Sequence, residues 1–476
     1  MGEARINTRG SGSSRTAGRE LRARLGPWFL AWLAFLPYAI IRSENLAESD
    51  TFWQVRTGLW TMAEGRLPLV DPFSWTAAGK PWTLNSWAFN VLVGLGYEAA
   101  GLAGVAFIAA CLVAAIGGLV LYLARELGAA PLPSAVVLLA GAPLLMLYLS
   151  ARPQLVDYLA VLALAVLLRR LLDGHRPGWL LLAVGVLTVL WVNLHAAALL
   201  GVAIAGTSGL LALLGTRTRR QAGWLFAAAL VISVSAVVTP YGTGLLVQTV
   251  QVKAESADIT EWQPLNPADP LQLVLFAIGL AGLAFAARRR DPVLCGALAI
   301  SAAGSVAAMR ILPILVLLAL PVMASAMSRG AVLRYLDSRR RMISTGAVAL
   351  LTFVIGSAII NLPHFGRPDP ALFPAAAVKA IPSGCTLFND YHLGGLVILQ
   401  RPDVAVSIDS RNDLYGAEAV RQSARVASGR GELDQEFAAA HCVLVHPHGG
   451  LAQRLRNSSD WIVTATEPAA VLFVRR

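Results

Sequence analysis

Most of this chain is apolar, so its few polar residues in apolar surroundings are the places where chemistry could happen. Glu48 and Asp50 open a polar segment that also carries Arg56 and Asp71. Arg152-Pro153-Gln154 and Asn193-Leu194-His195 each interrupt an apolar stretch. Arg310 stands alone between two apolar runs, and Tyr241 and Glu261 lie in a polar interval. Carboxylates such as Glu48 and Asp50 can act as a general base or hold a divalent ion such as Mg or Mn. Arginines bind phosphate oxygens through a planar fork of donors. Plain structural readings stand beside these: a satisfied core histidine, an arginine snorkelling to headgroups, an interfacial loop with an aromatic belt. What decides between them is where the surrounding elements put each residue.

Of 476 residues, 56% are hydrophobic and 14% charged, against about 25% charged in an ordinary soluble domain. Mean hydropathy is +0.61. A soluble globular, a disordered and a collagen-like chain are excluded, and a polytopic α-helical membrane protein is implied. The net charge of +11 comes from arginines in short runs between apolar segments. That is the pattern of cytoplasmic loops, so a nucleic-acid partner is not implied.

Apolar runs at about 27–41, 101–124, 132–150, 155–172, 179–194, 196–214, 222–239, 270–287, 292–309, 311–328 and 342–361 predict about eleven transmembrane helices. Several are short for a hydrocarbon core about 30 Å thick, which suggests tilt or broken helices. Residues 1–26 form a basic tail, and the first run lacks a small-residue cleavage site, so it reads as a retained span. With that tail inside, the loops Arg125–Glu126, Arg169–Arg176, Arg217–Arg220, Arg288–Arg290 and Arg329–Arg341 are also inside, and all carry arginine. The outer segments are then 42–100, Arg152–Gln154, Asn193–His195, 240–268, Arg310 and everything after about 362. Asp50, Arg152, His195, Tyr241, Glu261 and Arg310 therefore share one face, where a single cavity could collect them. Ionisable groups this near hydrocarbon usually face a bundle interior or a watery cavity.

From 362 to 476 the apolar runs shorten to strand length, at 385–388, 395–399, 404–408, 442–446, 461–465 and 470–474, with a helical stretch at 416–440. This predicts a small extracytoplasmic α/β domain behind a membrane domain of 27–361. Cys385 and Cys442 could pair there or remain free, whereas Cys111 and Cys295 lie in apolar runs and read as inert core thiols. Asp390, His392, Asp409, Arg411, Asp413, His446 and His448 give this domain residue types that suit chemistry. His446-Pro447-His448 invites a metal reading but reads better as an exposed loop, and Asp409-Ser410-Arg411 as a salt-bridged turn or a contact to the membrane domain, with acceptor recognition as the functional alternative. There is no GxxxxGK[ST] loop for a nucleotide.

A series of short motifs in order is more informative. Glu48-Ser-Asp50-Thr-Phe-Trp53, Thr57-Gly58, Gly65-Arg66-Leu67-Pro68, Asp71-Pro72-Phe73-Ser74 and Pro81-Trp82 are followed by Ala151-Arg152-Pro153-Gln154, Trp191-Val-Asn193-Leu-His195 and Pro240-Tyr241-Gly242. Further on come Phe388-Asn389-Asp390-Tyr391, Gly394-Gly395, Ile408-Asp409-Ser-Arg411 and Leu414-Tyr415-Gly416. From about residue 40 onward the chain resembles the GT-C superfamily of polytopic glycosyltransferases. It is most like bacterial members of uncharacterised specificity, and more distantly like protein mannosyltransferases and lipid A aminoarabinose transferases.

The resemblance implies an enzyme of the bacterial plasma membrane that moves a sugar from a polyprenyl-phosphate carrier to an envelope glycan, lipid or protein outside the cytoplasm. It implies Asp50 as general base, with Glu48 assisting or holding a metal, and Arg152 and Arg310 at the carrier phosphate. Arg56, Asp71, Gln154, Asn193, His195, Tyr241 and Glu261 are the further candidates for binding substrate, Asp71 also as a loop-shaping cap. Gln54-Val55-Arg56 follows Trp53 where relatives often carry histidine, and Glu48 stands where aspartate is more usual. A transporter or flippase of a lipid-linked or anionic substrate would show inverted repeats and midplane charges, neither of which is evident. A scaffold would tolerate Asp50→Asn.

Overall fold

The computed structural model describes residues 12–174, 176–255, 260–330, 334–335, 338–430 and 435–476. Residues 1–11 of the expected basic tail and part of the 329–341 loop lie outside them. Thirteen helices between Gly12 and Asn361 are used below: α1 Gly12–Glu44, α2 Ser49–Glu64, α3 Trp87–Glu126, α4 Pro131–Leu145, α5 Gln154–Leu172, α6 Pro177–Leu194, α7 Leu199–Leu214, α8 Ala222–Ser235, α9 Gly244–Glu255, α10 Pro270–Arg289, α11 Pro292–Ala307, α12 Leu312–Met327 and α13 Arg340–Asn361. Each apolar run falls on one of them. Among the described residues six helical segments are long and apolar enough to cross a membrane, and four shorter apolar ones accompany them. Their outward faces carry large apolar side chains such as Trp179, Leu214 and Phe353 that pack on nothing, as lipid-facing surfaces do. The protein is a multi-pass membrane protein.

Two helices hold the polar segment 42–100 in place. α3 breaks at Ala100–Gly101, so its first part, Trp87 to Ala99, belongs to that segment and the rest is the apolar run. α2 lies against that first part at very short range: a methyl group on Gly58 would run into the Asn90 carbonyl. Only glycine permits this approach, which fixes the helix that carries Asp50.

After α13 the chain forms a five-stranded sheet. Its strands are β3 Thr386–Asn389, β4 Ala405–Val406, β5 Cys442–Val445, β6 Trp461–Thr466 and β7 Val471–Arg475, in the order β4-β3-β5-β7-β6. The first three strands are parallel, and β7 and β6 are antiparallel to their neighbours. A disulfide joins Cys385 to Cys442 at the start of β3 and β5. Cys111 is exposed on α3 rather than in the core, because that face of the apolar helix points outward.

One expected strand is a helix. Residues 395–399 lie in Gly394–Gln400, fully buried from Gly394 to Leu399. A short continuous apolar run has no periodicity to separate strand from helix, and packing decided it: Gly395 abuts the Ser49 carbonyl at the start of α2. The expected helix 416–440 is instead Asn412–Ala427 with a short Gln435–Ala438.

The segment 42–100 is more than an interfacial loop, because the C-terminal sheet is docked on it. β1 Asn45–Leu46 pairs in parallel with β2 Arg367–Pro368, and the Trp75 amide donates to the Val406 carbonyl at 3.1 Å. Arg411, fully buried, reaches Asp71 and Asp409, both at 2.6 Å, with its guanidinium over Trp82 at 4.6 Å.

Candidate active site

Asp50 sits in the first turn of α2, where a carboxylate suits the positive end of the helix dipole. Its Oδ1 accepts from Trp53 Nε1 at 3.2 Å, and the same indole N–H reaches Ser410 Oγ at 3.2 Å. Its Oδ2 accepts from Arg152 Nη2 at 2.5 Å. The corner bearing Arg152 is tied to α2 by the Thr51 hydroxyl, which donates to the Ala151 carbonyl at 3.0 Å. Arg152 also pairs with Glu261 and lies 3.7 Å from Glu48. Burial alone would weaken the guanidinium's hold on its proton, but Asp50, Glu261 and Glu48 outweigh that and hold Arg152 far above its ordinary pKa.

His195, at the C-terminal end of α6, turns Nδ1 onto both oxygens of Asp157 at 2.8 Å. Trp191 Nε1 donates to Asp157 Oδ1 at 2.7 Å. The Arg310 guanidinium lies over the Trp262 ring at 4.3 Å.

Three hollows meet here. A polar one of about 120 Å³ is lined by Asp50, Arg152, His195, Glu261, Arg310 and Asp413, among others. An apolar one of about 300 Å³ runs between α7, α9, α11 and the start of α12. A third of about 270 Å³ includes Glu48, Tyr148 and Asp269. Gln154 and Arg310 border all three, and His195 the first two. A larger groove of about 530 Å³ between α6 and α8 has no ionisable residue in its lining.

Glu48, Asp50, Arg152, Gln154, His195, Glu261 and Arg310 are thus brought together, and four other candidates are not. Arg56 is half-buried further along α2 and borders none of the three hollows. Asp71 is sealed against Arg411 and caps its own turn, accepting from the Phe73 and Ser74 amides; its carboxylate is consumed in shaping and docking the segment. Asn193 accepts from Trp87 Nε1 at 2.7 Å and donates to the Val189 and Val238 carbonyls. The Tyr241 hydroxyl accepts from the Leu84 amide at 3.3 Å.

The sequence reading passed over Asp157, whose signal was a lone carboxylate inside an apolar run. It also passed over Trp262 and Asn412, and although it singled out Asp413 and the Asp409-Ser410-Arg411 turn, it did not place Ser410 and Asp413 on a wall of this site. Burial pushes the Asp413 carboxyl up to about 6, despite Arg411 and the Trp82 indole N–H that pull it down.

Glu48 and Asp50, the residues offered for Mg or Mn, both converge on Arg152, whose guanidinium takes the place a shared cation would need. Among the described residues no three His, Cys, Asp or Glu side chains are grouped to hold a metal, His446 and His448 included. No step below is routed through one.

Solved structures share this architecture over nearly the whole chain. The oligosaccharyltransferase AglB from Archaeoglobus fulgidus, in complex with an inhibitory peptide and a dolichol-phosphate, matches with a TM-score of 0.57 at 13% identity, covering 90% of this chain and 70% of that one. ArnT from Cupriavidus metallidurans, bound to undecaprenyl phosphate, matches with a TM-score of 0.57 at 14% identity, covering 94% of this chain and 98% of that one. The chain shares the GT-C-like fold of these two structures. Apo ArnT also matches, with a TM-score of 0.53 and 97% of this chain covered. No family model and no curated protein matches the sequence. At such identities the likeness is one of backbone, so the GT-C fold says where a site belongs, and the side chains of this chain must say what it does.

Proposed function

We propose that the protein is a glycosyltransferase that moves a sugar from a polyprenyl-phosphate donor to an acceptor outside the cytoplasm. One observation carries this reading: a small polar hollow with three carboxyl groups and two arginines adjoins a larger apolar one across a shared border of Arg310, Gln154 and His195. A lipid phosphate has the matching duality, an apolar chain beside an anionic head. The neighbours of like fold were solved with dolichol-phosphate and with undecaprenyl phosphate, which supports that donor class.

In the proposed reaction the acceptor hydroxyl meets Asp50 as general base. Trp53 and Arg152 each engage one Asp50 oxygen, and a carboxylate oxygen has a further lone pair to accept the hydroxyl proton. Arg310, with Arg152 behind it, faces the phosphate as it departs. Preorganised cations opposite a developing anion, held away from water, are usually the largest single contribution to such a rate. Glu48 and Glu261 keep Arg152 in place. Asp413 presents a further carboxyl from the C-terminal sheet domain, where it would contact the acceptor.

The domain boundaries belong to the same proposal: an inner tail of 1–26, a membrane domain of 27–361 with about eleven spans, and an outer domain of 362–476. The Cys385–Cys442 disulfide supports the outer location, since such bonds persist in oxidising compartments.

Transfer in vitro is the test. Purified protein in lipid is given a panel of radiolabelled polyprenyl-phosphate sugars and an envelope extract, with Asp50→Asn in parallel. Loss of a general base typically costs about 10²- to 10⁴-fold. Transfer by the wild type with a loss of that order in the variant upholds the reading. Equal transfer by both removes Asp50 as base, and no transfer with any donor by folded protein favours transport or scaffolding.

A further inference from the structure

We propose that Asp157 and Trp191 are positioning residues that fix the His195 ring so that its Nε2 edge meets the donor phosphate beside Arg310. This rests on the lipid-phosphate reading above. Asp157 is buried in the first turn of α5, and both of its oxygens lie 2.8 Å from His195 Nδ1. Trp191, itself buried, donates to Oδ1 and stops the carboxylate from rotating. A carboxylate can only accept, so Nδ1 carries a proton and the opposite edge, Nε2, is the one left for a ligand. The ring borders the apolar and the polar hollow at once, in company with Arg310. A buried carboxylate clamped by an indole and holding a histidine at the edge of two cavities is more than packing requires, and the same carboxylate lies on the wall of the apolar hollow within electrostatic reach of Arg310.

In the transfer, the bond from the anomeric carbon to the phosphate oxygen breaks, and its electron pair stays on that oxygen. The acceptor oxygen forms the new bond to carbon, and its proton passes to Asp50. The charge left on the phosphate is then met by Arg310 and by an N–H at His195 Nε2. With N–H groups on both ring nitrogens His195 is an imidazolium, and Asp157 balances its charge.

The test titrates full-length protein in lipid nanodiscs with undecaprenyl phosphate and, separately, with undecaprenol. Asp157→Asn and His195→Ala each weaken phosphate binding by about tenfold, and the double variant binds no worse than His195→Ala if Asp157 acts through the ring rather than through its charge on Arg310. His195→Gln, which keeps an N–H donor, recovers part of the loss. Undecaprenol binding changes by less than about twofold throughout, since only a charge-assisted bond is removed. If Asp157→Asn does not fold, Trp191→Phe removes the clamp's indole donor alone and is expected to weaken phosphate binding in the same direction. Unchanged phosphate affinity in the clamp variants, or losses that multiply in the double variant, overturn the positioning role while leaving the donor reading intact. A wild type that binds undecaprenyl phosphate no better than undecaprenol overturns the donor reading, and this inference with it.

Discussion

Arg411→Ala is expected to unfasten the C-terminal sheet from the segment that carries the site. Arg411, Asp71 and Asp409 are all fully buried, and one guanidinium serves both carboxylates. Removing one partner of a buried pair costs about 3–5 kcal/mol, because it leaves an uncompensated charge. At 1.4 kcal/mol per factor of ten, opening of this contact becomes about 10²- to 10³-fold more frequent. The amides that report it are those of Asp71, Trp75 and Trp82, which donate to Lys80, Val406 and Leu69 at 2.9–3.1 Å. Hydrogen exchange read by mass spectrometry on peptides spanning 69–85 and 404–415 measures the change directly. A triple variant, Arg411→Met with Asp71→Leu and Asp409→Leu, restores slow exchange, since well-packed apolar residues can replace a buried ion triad at little cost. Transfer falls in Arg411→Ala, because Ser410, Asn412 and Asp413 of the cavity wall move with the sheet. Exchange within about threefold of wild type would refute the assignment, because a change that small is well under 1 kcal/mol.

Three other outcomes follow from the same geometry. Asp413 rises from 3.8 to about 6 on folding, so the folded state holds a proton that the unfolded state has released. Stability therefore falls as pH rises through that window and is flat above it; Asp413→Asn removes the slope in thermal denaturation profiles, and an unchanged slope would assign it to another group. The Cys385–Cys442 bond closes a loop of sequence separation 57, worth about 4 kcal/mol in the chain-entropy account. Impermeant maleimide should leave both cysteines unlabelled until reduction and label them from outside afterwards; labelling of unreduced protein would rule the bond out. Gly58→Val forces α2 off the Asn90 carbonyl and should lower transfer by about 10²-fold, the cost of roughly 1 Å of misplacement at a reacting group. Full activity would show that α2 has slack.

Much of this arrangement was legible in the chain before folding. Apolar runs and arginine placement need only local composition, and each run became a helix. Sidedness then carried real information about the site: Asp50, Arg152, His195, Glu261 and Arg310 come from separate turns, yet all were assigned to one face, and all border one hollow. Tyr241, assigned to the same face, supports the backbone at Leu84 instead. The limit of the method is therefore resolution within a face. Being on the outer side narrows a residue's place to a layer, and only packing selects which members of that layer look into the cavity.

The parts that were not legible depend on contacts between segments far apart in sequence. Asp71 looked like another acidic contact for substrate because its partner, Arg411, lies 340 residues away, and nothing near either residue announces the other. The same distance hid that Ser410, Asn412 and Asp413 form a wall of the site, although the residue type of Asp413 singles it out. Asp157 was hidden differently, since a carboxylate one turn into an apolar helix reads as a helix-start residue until His195 and Trp191 are seen to hold it. The residues that chemistry alone could single out are those whose polarity conflicts with their own segment, such as Arg310. Those whose polarity fits their segment, and whose role arises only across the fold, require the structure. Asp413, and Asp157, whose charge in an apolar run was a signal left unread, are where mutagenesis should reach beyond the residues the motifs suggest.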